Sequence, residues 1–145
     1  MGFVDDYRAI ENLIFSYAAL VDAGDFDGVG ELFAEGEFVG SGGVVSGAPG
    51  VSGMLRDTVI VYGDGTPRTK HVTTNVALEV TGDTATSRAY FTVLQAVPGL
   101  PLQTIAAGRY ADRFTKRDGR WRFTERRATV DLVGDVSHHL RAKRP

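Results

Sequence analysis

Near residue 69 the hydrophobic pattern changes its period, and that change constrains the fold more than any other feature of the chain. Before it, Tyr7, Ile10, Leu13, Ile14, Tyr17, Leu20 and Val21 recur at steps of three and four, which lines one stripe of a helix. After it, Val, Thr, Tyr and Phe alternate with other residues over 69–80, 84–95, 104–115 and 120–131, the period of strands. Thr81-Gly82-Asp83 and Arg117-Asp118-Gly119 carry the Gly and Asp that hairpin turns take, because both tolerate positive φ. Val97-Pro98-Gly99-Leu100-Pro101 predicts a wider, stiffer connection. Strands joined by hairpins pair antiparallel, so helices come first and a meander follows. That is an α+β fold with helices packed on one sheet face.

Asp5 or Asp6 is expected to cap the first helix and Gly24 to end it. Asp25 then caps a short second helix through about Phe33. Five glycines in residues 40–50 predict a loop, and Pro49 falls in the first turn of a third helix carrying Met54, Leu55 and Val59. With 145 residues the chain fits one domain, 1–145, large enough to bury a core without staples. It has no cysteine, which excludes disulfides, thiolate nucleophiles and Cys-ligated metal. Sixteen basic residues against eighteen acidic ones remove the electrostatic argument for nucleic acid. No stretch is long and apolar enough for a membrane span, and the acidic start lacks a secretion signature, so a cytoplasmic location is expected. Met1-Gly2 is not followed by the Ser or Thr at position 6 that myristoylation takes, and Arg141 to Pro145 reads as a solvated basic tail.

Two motifs fail on chemistry. Asp25, Asp27 and Gly28 fit the middle of a calcium loop, but Ala23 and Ala34 then stand where acidic ligands are needed. The 40–50 glycines lack the Gly-Lys-Ser/Thr that follows a phosphate loop. Of three histidines, His138 and His139 are neighbours that point apart, and they are expected on a short capped terminal helix without function. That leaves too few histidines for an ordinary metal site, so no metal is expected.

His71 differs. Period two puts His71, Thr73 and Asn75 on one face of the first long strand, and Val72, Val76, Leu78 and Val80 on the other. The apolar face would ordinarily seek the core. Both can be satisfied if the sheet curves, with His71 in a polar cavity and the valines in a subunit interface. Asp22 ends the first helix, where the carbonyl end disfavours an anion, so a cationic partner such as an imidazolium would suit it. Tyr17 lies one and a half turns earlier, within about 140° around the axis. In the last strand, parity with Trp121 and Phe123 sends Glu125, Arg127 and Thr129 inward, and a buried guanidinium needs Glu125, Asp131 or a ligand oxygen. A bulge would substitute Arg126 for Arg127.

Phe15 to Asp27, Glu31-Leu32-Phe33-Ala34, Thr69 to Asn75, Gly108 to Phe114 and Asp118 to Phe123 resemble SnoaL-like proteins of the nuclear transport factor 2-like superfamily. The resemblance spans nearly the whole chain. It implies a cone: helices on a strongly curved antiparallel sheet, a deep pocket between them, and association of subunits through the convex side as a homodimer or homotrimer. Among catalytic relatives it points to scytalone dehydratase and bile-acid dehydratase, in which an Asp–His pair and a tyrosine remove a proton beside a carbonyl and expel water. Tyr17, Asp22 and His71 match those places, and Arg127 or Arg126 matches a pocket arginine more loosely. The second pocket histidine of scytalone dehydratase has no counterpart between His71 and His138.

The expectation is therefore a cofactor-independent dehydratase or isomerase acting on a hydrophobic, oxygenated, polycyclic small molecule of steroid or polyketide kind. His71 would be general base, since an imidazole of ordinary pKa near 6.5 is neutral at physiological pH. Asp22 would orient it, and Tyr17, helped by Asn75, would hold the oxygen where enolate charge builds. Tyr110, Trp121 and Phe123 would form the apolar wall, with the 40–50 loop and the 97–101 turn at the mouth. Two other classes compete: a non-catalytic binding module, expected if His71 and Asp22 do not meet, and the small structural subunit of a ring-hydroxylating dioxygenase.

Overall fold

The structure, a computed structural model, describes residues 3–142. The expectations for Met1-Gly2 and for Lys143 to Pro145 lie outside the described residues. Three helices, α1 (Phe3–Asp22), α2 (Phe26–Leu32) and α3 (Gly47–Thr58), accompany six strands in one sheet. The strands are β1 (Glu37–Gly40), β2 (Gly43–Ser46), β3 (Thr69–Thr81), β4 (Thr84–Val97), β5 (Leu100–Arg117) and β6 (Arg120–Val133). Their order across the sheet is β2-β1-β6-β5-β4-β3, antiparallel except where β1 joins β6.

The stripe read from the sequence is the buried face of α1. Ile10, Ile14, Tyr17, Ala18 and Val21 are buried, and the helix lies across β3 and β6. Its start falls earlier than expected, at Phe3, so Asp5 and Asp6 sit in the first turn. The Asp6 carboxylate accepts from Trp121 Nε1 (2.9 Å) and Lys116 Nζ (3.2 Å), which ties the helix to the β5–β6 hairpin.

Its C-terminus is closed by Gly24 at φ 74°: Asp25 N–H donates to Leu20 O (2.9 Å) and Gly24 N–H to Val21 O (3.0 Å). A Cβ at position 24 would stand 2.1 Å from Gly65 O. Gly24→Ala is therefore expected to cost about 2 kcal/mol or more, from left-handed backbone plus this overlap. The urea midpoint reads it; a midpoint equal to wild type would contradict the account. As expected, Asp25 caps α2, accepting from Gly28 N–H at 2.9 Å.

Two connections differ from expectation. Residues 40–50 are not one loop: Val44 and Val45 pair with Val39 and Phe38, making a β1–β2 hairpin whose inner strand is held by β6. Strand pairing outweighs the local freedom of the glycines. The 97–101 connection is also tight rather than wide, since Val97 pairs with Leu100 and only Pro98 and Gly99 (φ 88°) turn the chain. Proline followed by a positive-φ glycine suits a two-residue turn.

Bulges decide which side chains face inward. In β3 the register slips between Thr74 and Ala77, with Asn75 at φ 55°. Before the slip Thr69, His71 and Thr73 face the helices; after it Val76, Leu78 and Val80 do, packing on the core. The valines beyond the slip are thus not a subunit-interface face, and only Val72 stays on the outside, 40% exposed. In β6 the slip falls at Thr124, between the pairs Arg113–Glu125 and Phe114–Phe123.

Candidate active site

Asp22 is the last helical residue of α1, so its carboxylate projects past the helix end onto the first residues of β3. There it collects three donors. Thr69 Oγ1 donates to Oδ1 (2.9 Å), His71 N–H donates to Oδ2 (2.8 Å), and His71 Nδ1 lies 2.6 Å from Oδ1. The side chains of His71 and Asp22 are 9% and 12% exposed, so the contact is nearly dry. Burial alone would raise the Asp22 carboxyl, but the bonds from His71 and Thr69 outweigh it and hold its pKa below the ordinary value. An ionised carboxylate only accepts, which places the ring proton of neutral His71 on Nδ1 and leaves Nε2 as a base.

Tyr17 lies deeper on the same helix, 6% exposed. Its ring is parallel to Phe38 (centroids 6.1 Å apart) and meets Phe33 and Tyr110 edge-on. Burial raises its pKa to about 12, so it remains a protonated donor. Tyr110 stacks on Phe91 at 4.6 Å, and burial raises its pKa further.

Between the two tyrosines sits the Arg126 guanidinium, 4.5 Å from the Tyr17 ring centre and 3.7 Å from that of Tyr110. Arg126 is 0% exposed and doubly bonded to Asp112: Nε to Oδ1 at 2.8 Å and Nη2 to Oδ2 at 2.9 Å. Burial opposes its charge, but Asp112 outweighs that and raises its pKa. Nη1 is buried without a partner.

The remaining expected residues fall elsewhere. Arg127 points outward, its side chain 57% exposed and 3.7 Å from Glu125, because the Thr124 bulge turns Arg126 inward instead. Asn75 is exposed on the β3 bulge, out of parity with His71. Trp121 is bound to Asp6 at the opposite end of α1 from Asp22, roughly 24 Å away at 1.5 Å per residue. Phe123 is core, stacked on Phe33 at 4.8 Å and 1% exposed. The rings expected to line an open hollow instead pack on one another around Arg126. A surface depression of about 440 Å³ lies on the other sheet face, among Arg88, Arg113, Arg127, Glu79 and Glu125.

Thr69, Asp112 and Gln95 are not among the site residues expected from the sequence, and His139 is expected there to be without function. Asp112 is paired with Arg126 in the β5–β6 register. Gln95 pairs with Thr69 across β3 and β4, and its side chain faces inward, 1% exposed. His139 is not on a terminal helix but in one turn, and its ring centre is 6.0 Å from that of His71. Among the described residues no group of three His, Cys, Asp or Glu is arranged to hold a metal ion, and no helix is long and apolar enough to cross a membrane.

Comparison with known proteins agrees with this architecture. The SnoaL-like domain model matches residues 3–127. The structure of Rv3472 from Mycobacterium tuberculosis, a protein of unknown function, is similar at TM-score 0.75 and 30% identity, over 92% of this chain and 78% of that one. A candidate scytalone dehydratase from Novosphingobium aromaticivorans gives TM-score 0.72 and 23% identity, over 91% of this chain and 88% of that one. The hexachlorocyclohexane dehydrochlorinase LinA-type3 from Novosphingobium barchaimii gives TM-score 0.73 and 22% identity, over 90% of each chain. No protein with a curated description matches. Helices laid on a curved six-stranded sheet, and a family match over most of the sequence, lead to one conclusion: the chain belongs to the SnoaL-like family, with the nuclear transport factor 2-like, cystatin-like fold.

Proposed function

We propose that this protein is a cofactor-independent enzyme that takes a proton from carbon beside a carbonyl, eliminating water or isomerising a hydrophobic, oxygenated small molecule. The observation that carries the reading is the 2.6 Å contact between His71 Nδ1 and Asp22 in a nearly dry setting. Asp22 fixes the tautomer and stabilises the imidazolium; His71 Nε2 takes the proton. As the C–H bond breaks, its electron pair moves to the carbonyl oxygen. The donors this reading assigns to that developing oxyanion are Tyr17 Oη, which stays protonated, and Nη1 of Arg126, which has no partner of its own; both are buried, so the ring cluster around Arg126 has to part to admit the substrate. Loss of a β-hydroxyl as water, with the proton returned from His71, completes an elimination; reprotonation at another carbon completes an isomerisation.

The names of the two Novosphingobium proteins, a candidate dehydratase and a dehydrochlorinase, are both eliminations and support the reaction class. A purely binding module has no need of the Asp22–His71 bond. Apolar side chains left exposed on the sheet strands, among them Tyr90, Leu102 and Leu132, support self-association.

The test uses two probes. A nitrobenzisoxazole opens to a coloured phenolate when a base removes one C–H proton, and a bicyclic β-hydroxyketone loses water to give a naphthol. His71→Ala is expected to cut both rates by about 10² to 10⁴. A wild-type protein inert toward both, or a variant as fast as wild type, would sink the reading.

A further inference from the structure

Beyond β6 the chain turns back across the open end of the sheet. Gly134 N–H donates to Ile105 O (2.7 Å), and Asp135 Oδ1 accepts from Ser137 N–H (3.0 Å) and Oγ (2.6 Å). One turn forms, with His139 N–H and Leu140 N–H both donating to Val136 O. The segment is then stitched to the end of α3: Ile60 N–H to His139 O at 2.8 Å, Arg141 N–H to Thr58 O at 2.9 Å, and a bridge between Val59 and Leu140. Tyr62 Oη and Gln95 Nε2 both donate to His138 O.

This strap separates the two adjacent histidines. His138 stays at the surface, 3.7 Å from Asp135. His139 is buried, 8% exposed, and its ring faces His71 at 64°. Two buried polar atoms here have no partner: His139 Nδ1, and Oε1 of Gln95, the residue whose amide nitrogen holds the neighbouring His138 carbonyl. Gln95 is also paired with Thr69, which bonds Asp22. An apolar side chain would cover this end of the sheet without leaving a ring nitrogen unsatisfied. A carbonyl acceptor and an imidazole nitrogen, both unused, are the two kinds of group that a hydroxyl, donor and acceptor at once, can pair with.

We propose that His139, supplied by the C-terminal strap, is a further catalytic residue: with Gln95 it forms the leaving-group end of the site and hydrogen-bonds the hydroxyl that departs after His71 has taken the proton. This rests on the reading of His71 and Asp22 above, and it adds a second oxygen to what the site recognises. Tyr17 and Arg126 hold the carbonyl oxygen; His139 and Gln95 hold the β-hydroxyl. The bonds balance. The C–H proton passes to His71 Nε2, the enolate forms, the C–O bond breaks, and the imidazolium proton leaves with the hydroxyl as water. His139 acts as a neutral donor throughout. Burial, and then the charge of His71, lower its pKa to about 4, against the opposing pull of Asp22. A second cation at this distance would oppose the imidazolium that His71 must become.

His139→Leu and His139→Gln are compared with wild type on the same two probes, with far-UV circular dichroism and urea midpoints to show that each folds. The leucine variant is expected to lose about 10² in naphthol formation, the low end for one preorganised donor. Benzisoxazole opening, which expels no hydroxyl, should drop by no more than about tenfold, and glutamine, which keeps a neutral donor, should recover part of the dehydration rate. Equal losses on both probes, or none on either, would overturn the role of His139. So would a wild type that opens the benzisoxazole through His71 but makes no naphthol. Probe opening that survives His71→Ala would instead bring down the underlying assignment of the base.

Discussion

Replacing Asp112 by asparagine is expected to lower the unfolding free energy by about 3–5 kcal/mol, because it strands a buried guanidinium without its counter-charge. The side chains of Arg126 and Asp112 are both 0% exposed, and they share two bonds of 2.8 and 2.9 Å, with Ser87 Oγ adding a third to Asp112 at 3.2 Å. Asparagine fits the same space, so no cavity confuses the result. It also offers a donor where Arg126 needs an acceptor. Removing both partners is different. Arg126→Met with Asp112→Leu eliminates the desolvated charges together, and buried pairs replaced this way are often neutral or more stable. The single variant should therefore be far less stable than the double, as read by urea denaturation at constant slope. A single variant within about 1 kcal/mol of wild type would mean that water or another group already compensates Arg126. A double variant that is stable but inactive would show that the pair is kept for the site rather than for the fold.

The same pair marks how far the sequence can be read. Regular periodicity marks α1 and the four long strands, Asp25 and Pro49 mark the starts of α2 and α3, and the change of period near residue 69 sets their order. The Asp22–His71 meeting was also legible, since an acidic residue at a helix C-terminus calls for a cation and the family resemblance put His71 opposite it. Face assignments were legible only as far as the first bulge. One extra residue reverses every side chain beyond it. That is why Arg126 rather than Arg127 enters the interior, and why Val76, Leu78 and Val80 join the core while Asn75 does not. Asn75 itself carried a signal, because asparagine is the non-glycine residue most tolerant of positive φ. The β1–β2 hairpin was hidden for another reason. Its four-residue strands are too short to show a period, and its inner strand pairs with β6, more than eighty positions away. For His139 the premise holds but does not decide the outcome. Adjacent histidines do point apart, but only the strap's pairing with α3 decides which of them turns inward.

Asp22→Asn is expected to reduce kcat/KM on either probe by about 10⁴, with a much smaller change in stability at neutral pH. The carboxylate receives three donors and offers none. An amide has one oxygen. If that oxygen replaces Oδ2, its NH2 faces both Thr69 Oγ1 and His71 Nδ1; if it replaces Oδ1, its NH2 faces the His71 backbone N–H. In the first orientation the ring relieves the clash by moving its proton to Nε2, which removes the base. In the second the start of β3 loses the bond that seats His71 beneath the helix end. Nitrogen chemical shifts of the His71 ring distinguish these outcomes by reporting which nitrogen carries the proton. The acid limb gives an independent check. A carboxyl whose folded pKa lies below its unfolded value near 4 contributes stability that is complete above that value and disappears as pH falls through the folded one. The parent should therefore lose stability below about pH 4 more steeply than the asparagine variant, which has no group to titrate at that position. Activity within tenfold of the parent, with the ring proton still on Nδ1, would show that the carboxylate holds His71 in place without taking part in its chemistry.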